Sequence, residues 1–137
     1  MNQYIESLKI SGFKITPKRL AIIELFLKEN RVLTPEEVWS PLKKDIGQLG
    51  LPSVYRNLES LVECGVLTRV HQFDNKRYYG LCHAQDHTHH HHHIICTACG
   101  KIGEFEGCLL ENVKKIKGFK VLKHFVQLEG LCTNCQV

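Results

Sequence analysis

Two Cys-x-x-Cys pairs, Cys96 with Cys99 and Cys132 with Cys135, constrain this chain more than any other feature. Each pair is a knuckle that points two sulfurs at one place, and two knuckles supply the four thiolates a tetrahedral zinc prefers. Gly100 follows the first pair and lets the backbone turn around the sulfurs. The wide gap between the pairs means that a shared metal clips the later strand back onto an earlier ribbon. A redox role or unligated core cysteines are the alternatives, but lone redox motifs do not come in matched pairs. A structural zinc on Cys96, Cys99, Cys132 and Cys135 is therefore expected. Cys64 and Cys108 fall on expected helices among apolar residues and read as core thiols.

The chain of 137 residues is long enough for one compact domain or two small ones. All seven Cys and all nine His lie at or after Cys64, so the halves differ sharply in soft ligands. Net charge is +4, and residues 1–80 hold 12 Lys/Arg against 9 Asp/Glu. That balance permits nucleic-acid binding without arguing for it. No apolar run approaches the ~18 residues of a membrane span. Met1 to Glu6 lack the basic stretch and apolar core of a signal peptide. The cytoplasm is the expected compartment, where reduced thiols favour metal over disulfide.

The first half reads as helices followed by a hairpin. Residues 2–11 form a weak helical pattern. Thr16-Pro17 starts a helix, with Leu20, Ile23, Phe26 and Leu27 at helical spacing. Thr34 and Glu37 form a capping box ahead of Val38 and Leu42. A further helix spans about Pro52 to Cys64, with Val54, Leu58, Leu61 and Val62 as its buried stripe. Val66–Phe73 and Arg77–Leu81 are β-rich runs joined by Asp74-Asn75-Lys76. Such an order describes a winged helix-turn-helix. The opposite side of the Pro52 helix carries Ser53, Tyr55, Arg56, Asn57 and Ser60, which suit a major groove. A plain solvated face is the competing reading.

The second half reads as α/β. His93–Cys96 and Lys101–Phe105 are short strands, Cys108–Lys117 an amphipathic helix, and Phe119–Leu131 an alternating, extended stretch that invites pairing with a second copy. The segment from Leu81 to His93 holds Cys82, His83, His87 and five consecutive His. On a strand, His91 and His93 face one way and His90 and His92 the other, so one strand could feed two metal sites. Catalytic zinc needs an open position and a general base, and no His-Glu-x-x-His motif exists. An enzyme with a small-molecule substrate is not expected.

In order, Ile15-Thr16-Pro17-Lys18-Arg19, Thr34-Pro35-Glu36-Glu37-Val38-Trp39, Ser53-Val54-Tyr55-Arg56-Asn57-Leu58, His91-His92-His93-Ile94-Ile95-Cys96-x-x-Cys99-Gly100-Lys101, and Gly118-Phe119-Lys120 leading to Gly130-Leu131-Cys132-x-x-Cys135 resemble the ferric uptake regulator superfamily of bacterial metal sensors. The resemblance covers nearly the whole chain. It implies an α+β protein: a winged-helix DNA-binding domain over 1–81, a hinge and metal-binding segment over 82–90, and a small α/β dimerisation and metal-sensing domain over 91–137. It also implies a homodimer that represses transcription by binding palindromic double-stranded operator DNA when loaded with divalent metal. By the same resemblance Tyr55, Arg56 and Arg19 touch DNA, and Lys14 is the candidate for an adjacent minor groove.

Iron and peroxide sensors of this superfamily carry a His where this chain has Val32 and an acidic residue where it has Tyr79. The stretch Tyr79-Gly80-Leu81-Cys82-His83 instead resembles the zinc uptake regulator branch. That resemblance implies a regulatory zinc on His71, Cys82, His89 and Glu104, with His91 and His93 as alternatives to His89. A thiolate favours zinc over Fe2+ or Mn2+; the alternative is an iron- or peroxide-responsive regulator of the same superfamily with one of those ions as its metal. A second site maps by resemblance onto His90, His92, Glu111 and His124.

Overall fold

The computed structural model of the chain describes residues 1–70, 76–82, 92–108, 110 and 112–136. The chain divides into two compact units, Met1–Gln85 and Asp86–Val137. The expected hinge over 82–90 falls, apart from Cys82, outside the described residues, as does most of the expected turn at 74–76.

The first unit runs α1 (Asn2–Ile10), α2 (Pro17–Glu29), α3 (Pro35–Asp45), α4 (Leu51–Glu63), β1 (Leu67–Val70) and β2 (Tyr78–Leu81). Local chemistry sets the helix starts. Thr16 accepts a hydrogen bond from the Arg19 N–H at 3.2 Å, and Pro17 supplies a helical φ at the first position. Thr34 accepts from the Glu37 N–H at 3.2 Å, while the Glu37 carboxylate accepts from the Thr34 N–H at 3.0 Å. Arg31 pairs with the same carboxylate at 2.9 Å. Thr34→Ala removes one arm of this box and is expected to lower stability by about 1 kcal/mol. A shifted midpoint in urea at constant slope is the check; an unchanged midpoint contradicts it.

Leu8, Ile22, Ile23, Phe26, Leu33, Val38, Val54, Leu58, Leu61 and Tyr79 form the core of this unit. The expected α2 stripe is rotated: Ile22 and Leu25 are buried, whereas Leu27 is 39% exposed. The cause is tertiary, because α2 touches α3, α4 and β2 and so buries a wider arc than one amphipathic stripe. β1 and β2 pair antiparallel with Leu67 opposite Leu81 and Val70 opposite Tyr78. Tyr79 also bridges to Leu33. Its buried hydroxyl donates to Glu59 of α4, and Arg69 and Arg77 pair with that same carboxylate. The Arg69 hydrogen bond holds the Glu59 carboxyl below its usual range, and burial together with Glu59 pushes Tyr79 up to about 12. One carboxylate thus ties the fourth helix to both strands.

The second unit holds β3 (His92–Cys96), β4 (Ile102–Phe105), β5 (Lys115–Ile116), β6 (Phe119–Lys120) and β7 (Gln127–Gly130). Its sheet has the order β4-β3-β7, with β3 antiparallel to β4 and parallel to β7. The helix expected over Cys108–Lys117 is not formed among the described residues. The chain turns at Leu110 and Asn112, then closes a β5–β6 hairpin on Lys117 and Gly118, both at positive φ. A helix that short is marginal unless an apolar layer packs on its stripe. Within the single chain Leu110, Ile116 and Phe119 remain exposed, so the described residues provide no such layer. The long strand expected over Phe119–Leu131 is likewise interrupted, leaving β6 and β7 with irregular chain between them.

Candidate metal centres and the exposed helix

The β3–β7 register sets the first centre. It places Cys96 opposite Gly130, so the knuckle that follows β3 lies beside the one that follows β7. The Thr97 N–H donates to the Gly130 carbonyl at 2.9 Å and locks the two together. The first knuckle turns tightly: the Gly100 N–H reaches the Cys96 carbonyl at 2.9 Å, with Gly100 at φ +79°. The ligand atoms of Cys96, Cys99, Cys132 and Cys135 all lie within 4.8 Å of one another, and Cys99 Sγ is 3.7 Å from Cys132 Sγ.

Charge explains what this set needs. The Cys132 and Cys99 N–H groups bring Cys96 down to about 6. Its neighbours Cys132, Cys96 and Cys99 push Cys135 up to about 12. Four thiols in one space cannot all ionise without a cation among them, and a dication removes that conflict. The donor chemistry fits a closed, tetrahedral zinc site.

Two further donor groups leave β3 from adjacent residues. His93 faces Glu104 across the β3–β4 ladder, with their ligand atoms within 4.8 Å. His92 faces the other way, is buried, and lies with its ring centroid 5.3 Å from that of His124. Cys108 joins this second pair, its Sγ 3.3 Å from His124 Nε2. Cys108 is half-buried on irregular chain, not a core thiol on a helix. The expected helix had obscured it; the general richness of Cys and His in this half was the signal available. His71, His89, His90, His91 and Glu111 lie outside the described residues. Cys82 follows β2 in the first unit, buried, with its N–H bonded to the Val66 carbonyl at 2.9 Å.

Val32 and Tyr79 are both buried in the first unit, and the Tyr79 hydroxyl is committed to Glu59. Neither offers a metal donor.

On α4, Arg56 is exposed, whereas Ser53, Tyr55 and Asn57 are half-buried. Asn57 donates to the Ser53 carbonyl at 2.9 Å, and the Tyr55 hydroxyl donates to Glu36 at 3.2 Å. Arg77 sits 5.9 Å from the Tyr55 ring. Val54, Leu58 and Leu61 hold the opposite face in the core. The first turn of α4 contains no acidic side chain, which leaves its positive end unopposed for a phosphate. Lys14 is exposed, and its carbonyl accepts from Arg19 at 2.6 Å. Arg19 also lies 5.3 Å from the Phe13 ring.

A family model described as "Ferric uptake regulator family" matches residues 10–129. A ferric uptake regulation protein of Bordetella parapertussis is 38% identical over 134 residues, covering 94% of this chain and 94% of that protein. Among solved structures, a zinc uptake regulator complexed with zinc and DNA is 26% identical with a TM-score of 0.76, covering 98% of this chain and 93% of that one. A ferric uptake regulator from Francisella tularensis with iron is 29% identical with a TM-score of 0.58, covering 90% and 95%.

Proposed function

We propose a function from one premise: the chain belongs to the ferric uptake regulator family. It is a metal-responsive transcriptional regulator, and we read it as a zinc-responsive repressor that binds palindromic operator DNA as a metal-loaded homodimer in the cytoplasm. It acts without catalysis on any small molecule. Among the described helices none is long and apolar enough to cross a membrane.

The observation that carries zinc is the pair of lost oxygen and nitrogen donors. Val32 and Tyr79 stand where iron and peroxide sensors carry a His and an acid, and both are buried without a donor to give. Cys82 is the donor that replaces them, and a thiolate favours zinc. The likeness to a zinc- and DNA-bound zinc uptake regulator supports the same reading. Iron is the second reading, favoured by the identity to ferric uptake regulation proteins.

Cys96, Cys99, Cys132 and Cys135 hold the structural zinc, which supplies folding free energy to the second unit. The regulatory donors are His71 and Cys82 from the first unit with His89, or His91 or His93, and Glu104 from the second. Donors drawn from both units restrict how freely the two turn when they share an ion. DNA then meets a preselected arrangement instead of a broad ensemble. His90, His92, Glu111 and His124 are the second site. Arg56, Tyr55, Asn57 and Ser53 read bases and phosphates from α4, with Arg19 also on the DNA and Lys14 at the adjacent minor groove.

Operator binding titrated against zinc, Fe2+, Mn2+ and Ni2+ at buffered free metal tests the signal. Zinc is expected to activate binding at the lowest free concentration, and Cys82→Ser to abolish activation while leaving a folded dimer with its structural zinc. Activation by Fe2+ at lower free metal than zinc overturns this reading in favour of iron, and an undiminished zinc response in Cys82→Ser removes Cys82 as the regulatory ligand in favour of the site of His90, His92, Glu111 and His124.

A further inference from the structure

We propose that Cys108 is a metal ligand: with His92 and His124 it forms a nitrogen–sulfur site for a borderline to soft divalent cation, zinc foremost. The proposal deepens the second-site reading above and rests on it. Neither the spacing of the cysteines nor the resemblance assigns Cys108 this role.

Three separate stretches converge here. His92 enters from β3, Cys108 from the chain after β4, and His124 from the chain before β7. Their ligand atoms lie within 4.8 Å of one another. His92 is only 6% exposed, its ring flanked by Phe105 at 5.9 Å and His124 at 5.3 Å. Cys108 Sγ is 3.3 Å from His124 Nε2. A tetrahedral zinc with Zn–S of about 2.3 Å and Zn–N of about 2.0 Å holds such atoms about 3.5 Å apart. Closing on an ion therefore asks for a few tenths of an ångström at this edge, not a rearrangement. The Leu110 N–H already donates to Cys108 Sγ at 3.3 Å, a backbone contact that orients the sulfur.

Both imidazoles bind as neutral donors, so only the Cys108 thiol must lose its proton, which goes to solvent. One proton is released per ion bound. The fourth position is left for a carboxylate or water. Sulfur in this set shifts preference away from Fe2+ and Mn2+, which oxygen-rich sites accommodate. The competing account is an S–H···N hydrogen bond between Cys108 and His124, with metal held elsewhere.

Cobalt separates the two accounts. Cys82→Ser full-length protein, with zinc retained in the four-cysteine centre, is titrated with Co2+ and its near-ultraviolet spectrum recorded. Thiolate-to-cobalt absorption is expected in this background and lost when Cys108→Ser is added. Cys108→Asp is expected to keep binding but to narrow the preference, raising Mn2+ affinity relative to zinc. Because a variant could misfold, unsubstituted protein loaded with 113Cd is examined by NMR, where a resonance coupled to the Cys108 β-protons is expected. Absorption that persists without Cys108, or a cadmium resonance lacking that coupling, overturns the proposal. A Cys108-dependent signal, with operator binding of the unsubstituted protein ignoring zinc, leaves the ligand assignment standing and removes the regulatory reading. Zinc-activated binding with a Cys108-independent signal does the reverse.

Discussion

Cys132→Ser is expected to strip most of one zinc equivalent from the protein and to unfold the second unit. Structural zinc in small domains contributes about 10–16 kcal/mol of apparent binding free energy, against a typical domain stability of about 5–15 kcal/mol. The second unit has little else to rely on: its sheet has three strands, and Ile94, Phe119, Leu122, Phe125, Leu128 and Leu131 are exposed in the single chain. The two knuckles are also what secures the parallel β3–β7 pairing at its Cys96 and Gly130 end. Loss of that ladder releases His92 and His93 together. Zinc content by a chelator assay and the far-ultraviolet circular dichroism of the variant are the measurements. A folded, dimeric Cys132→Ser protein with undiminished zinc would show that the four sulfurs hold no structural ion.

Arg56→Ala is expected to remove specific operator binding while leaving metal content and self-association unchanged. Arg56 projects from α4 into solvent, and its removal disturbs no core contact. A bidentate contact to guanine is worth about 1–3 kcal/mol. A symmetric dimer loses it twice, which weakens binding by roughly 30-fold to 10⁴-fold. Tyr55→Ala is expected to act in the same direction, with a smaller part of its effect coming from the lost Glu36 hydrogen bond. Binding should be compared at fixed ionic strength, because contacts of basic side chains with DNA phosphates vary with salt whatever the sequence. Wild-type operator affinity in both variants would remove α4 as the reading helix.

What was legible in the chain was whatever neighbouring residues decide among themselves. The starts of α2 and α3 follow from Thr16-Pro17 and from the Thr34 and Glu37 box, whose hydrogen bonds form within three residues. The α+β class was readable in the same way, from helices and hairpin first and strands later. The gathering of Cys96, Cys99, Cys132 and Cys135 was readable because Cys-x-x-Cys knuckles are local and paired. Features that depend on distant partners were not. The α2 stripe turned because α3, α4 and β2 all pack on it. The helix expected at Cys108–Lys117 had the right periodicity, but a period stabilises nothing without a second layer to bury it. Cys108 was misplaced with that helix, since its neighbour His124 is 16 residues away. The parallel β3–β7 register is a pairing across more than thirty residues that no local signal announces.

The adjacency of His92 and His93 has a consequence for how this chain can vary. A strand alternates its faces every residue, and β3 receives its donors from a homopolymeric stretch, His89 to His93. Its register is counted backward from Cys96, which the Lys101 and Gly130 contacts anchor at the far end. Delete one histidine from the stretch and the residues three and four before that anchor are still histidines. Insert one and the same holds. A one-residue change in the length of this histidine run, ordinarily a damaging register slip for a strand, leaves the residues at these two positions unchanged. Both faces of the strand then keep an imidazole at these two positions.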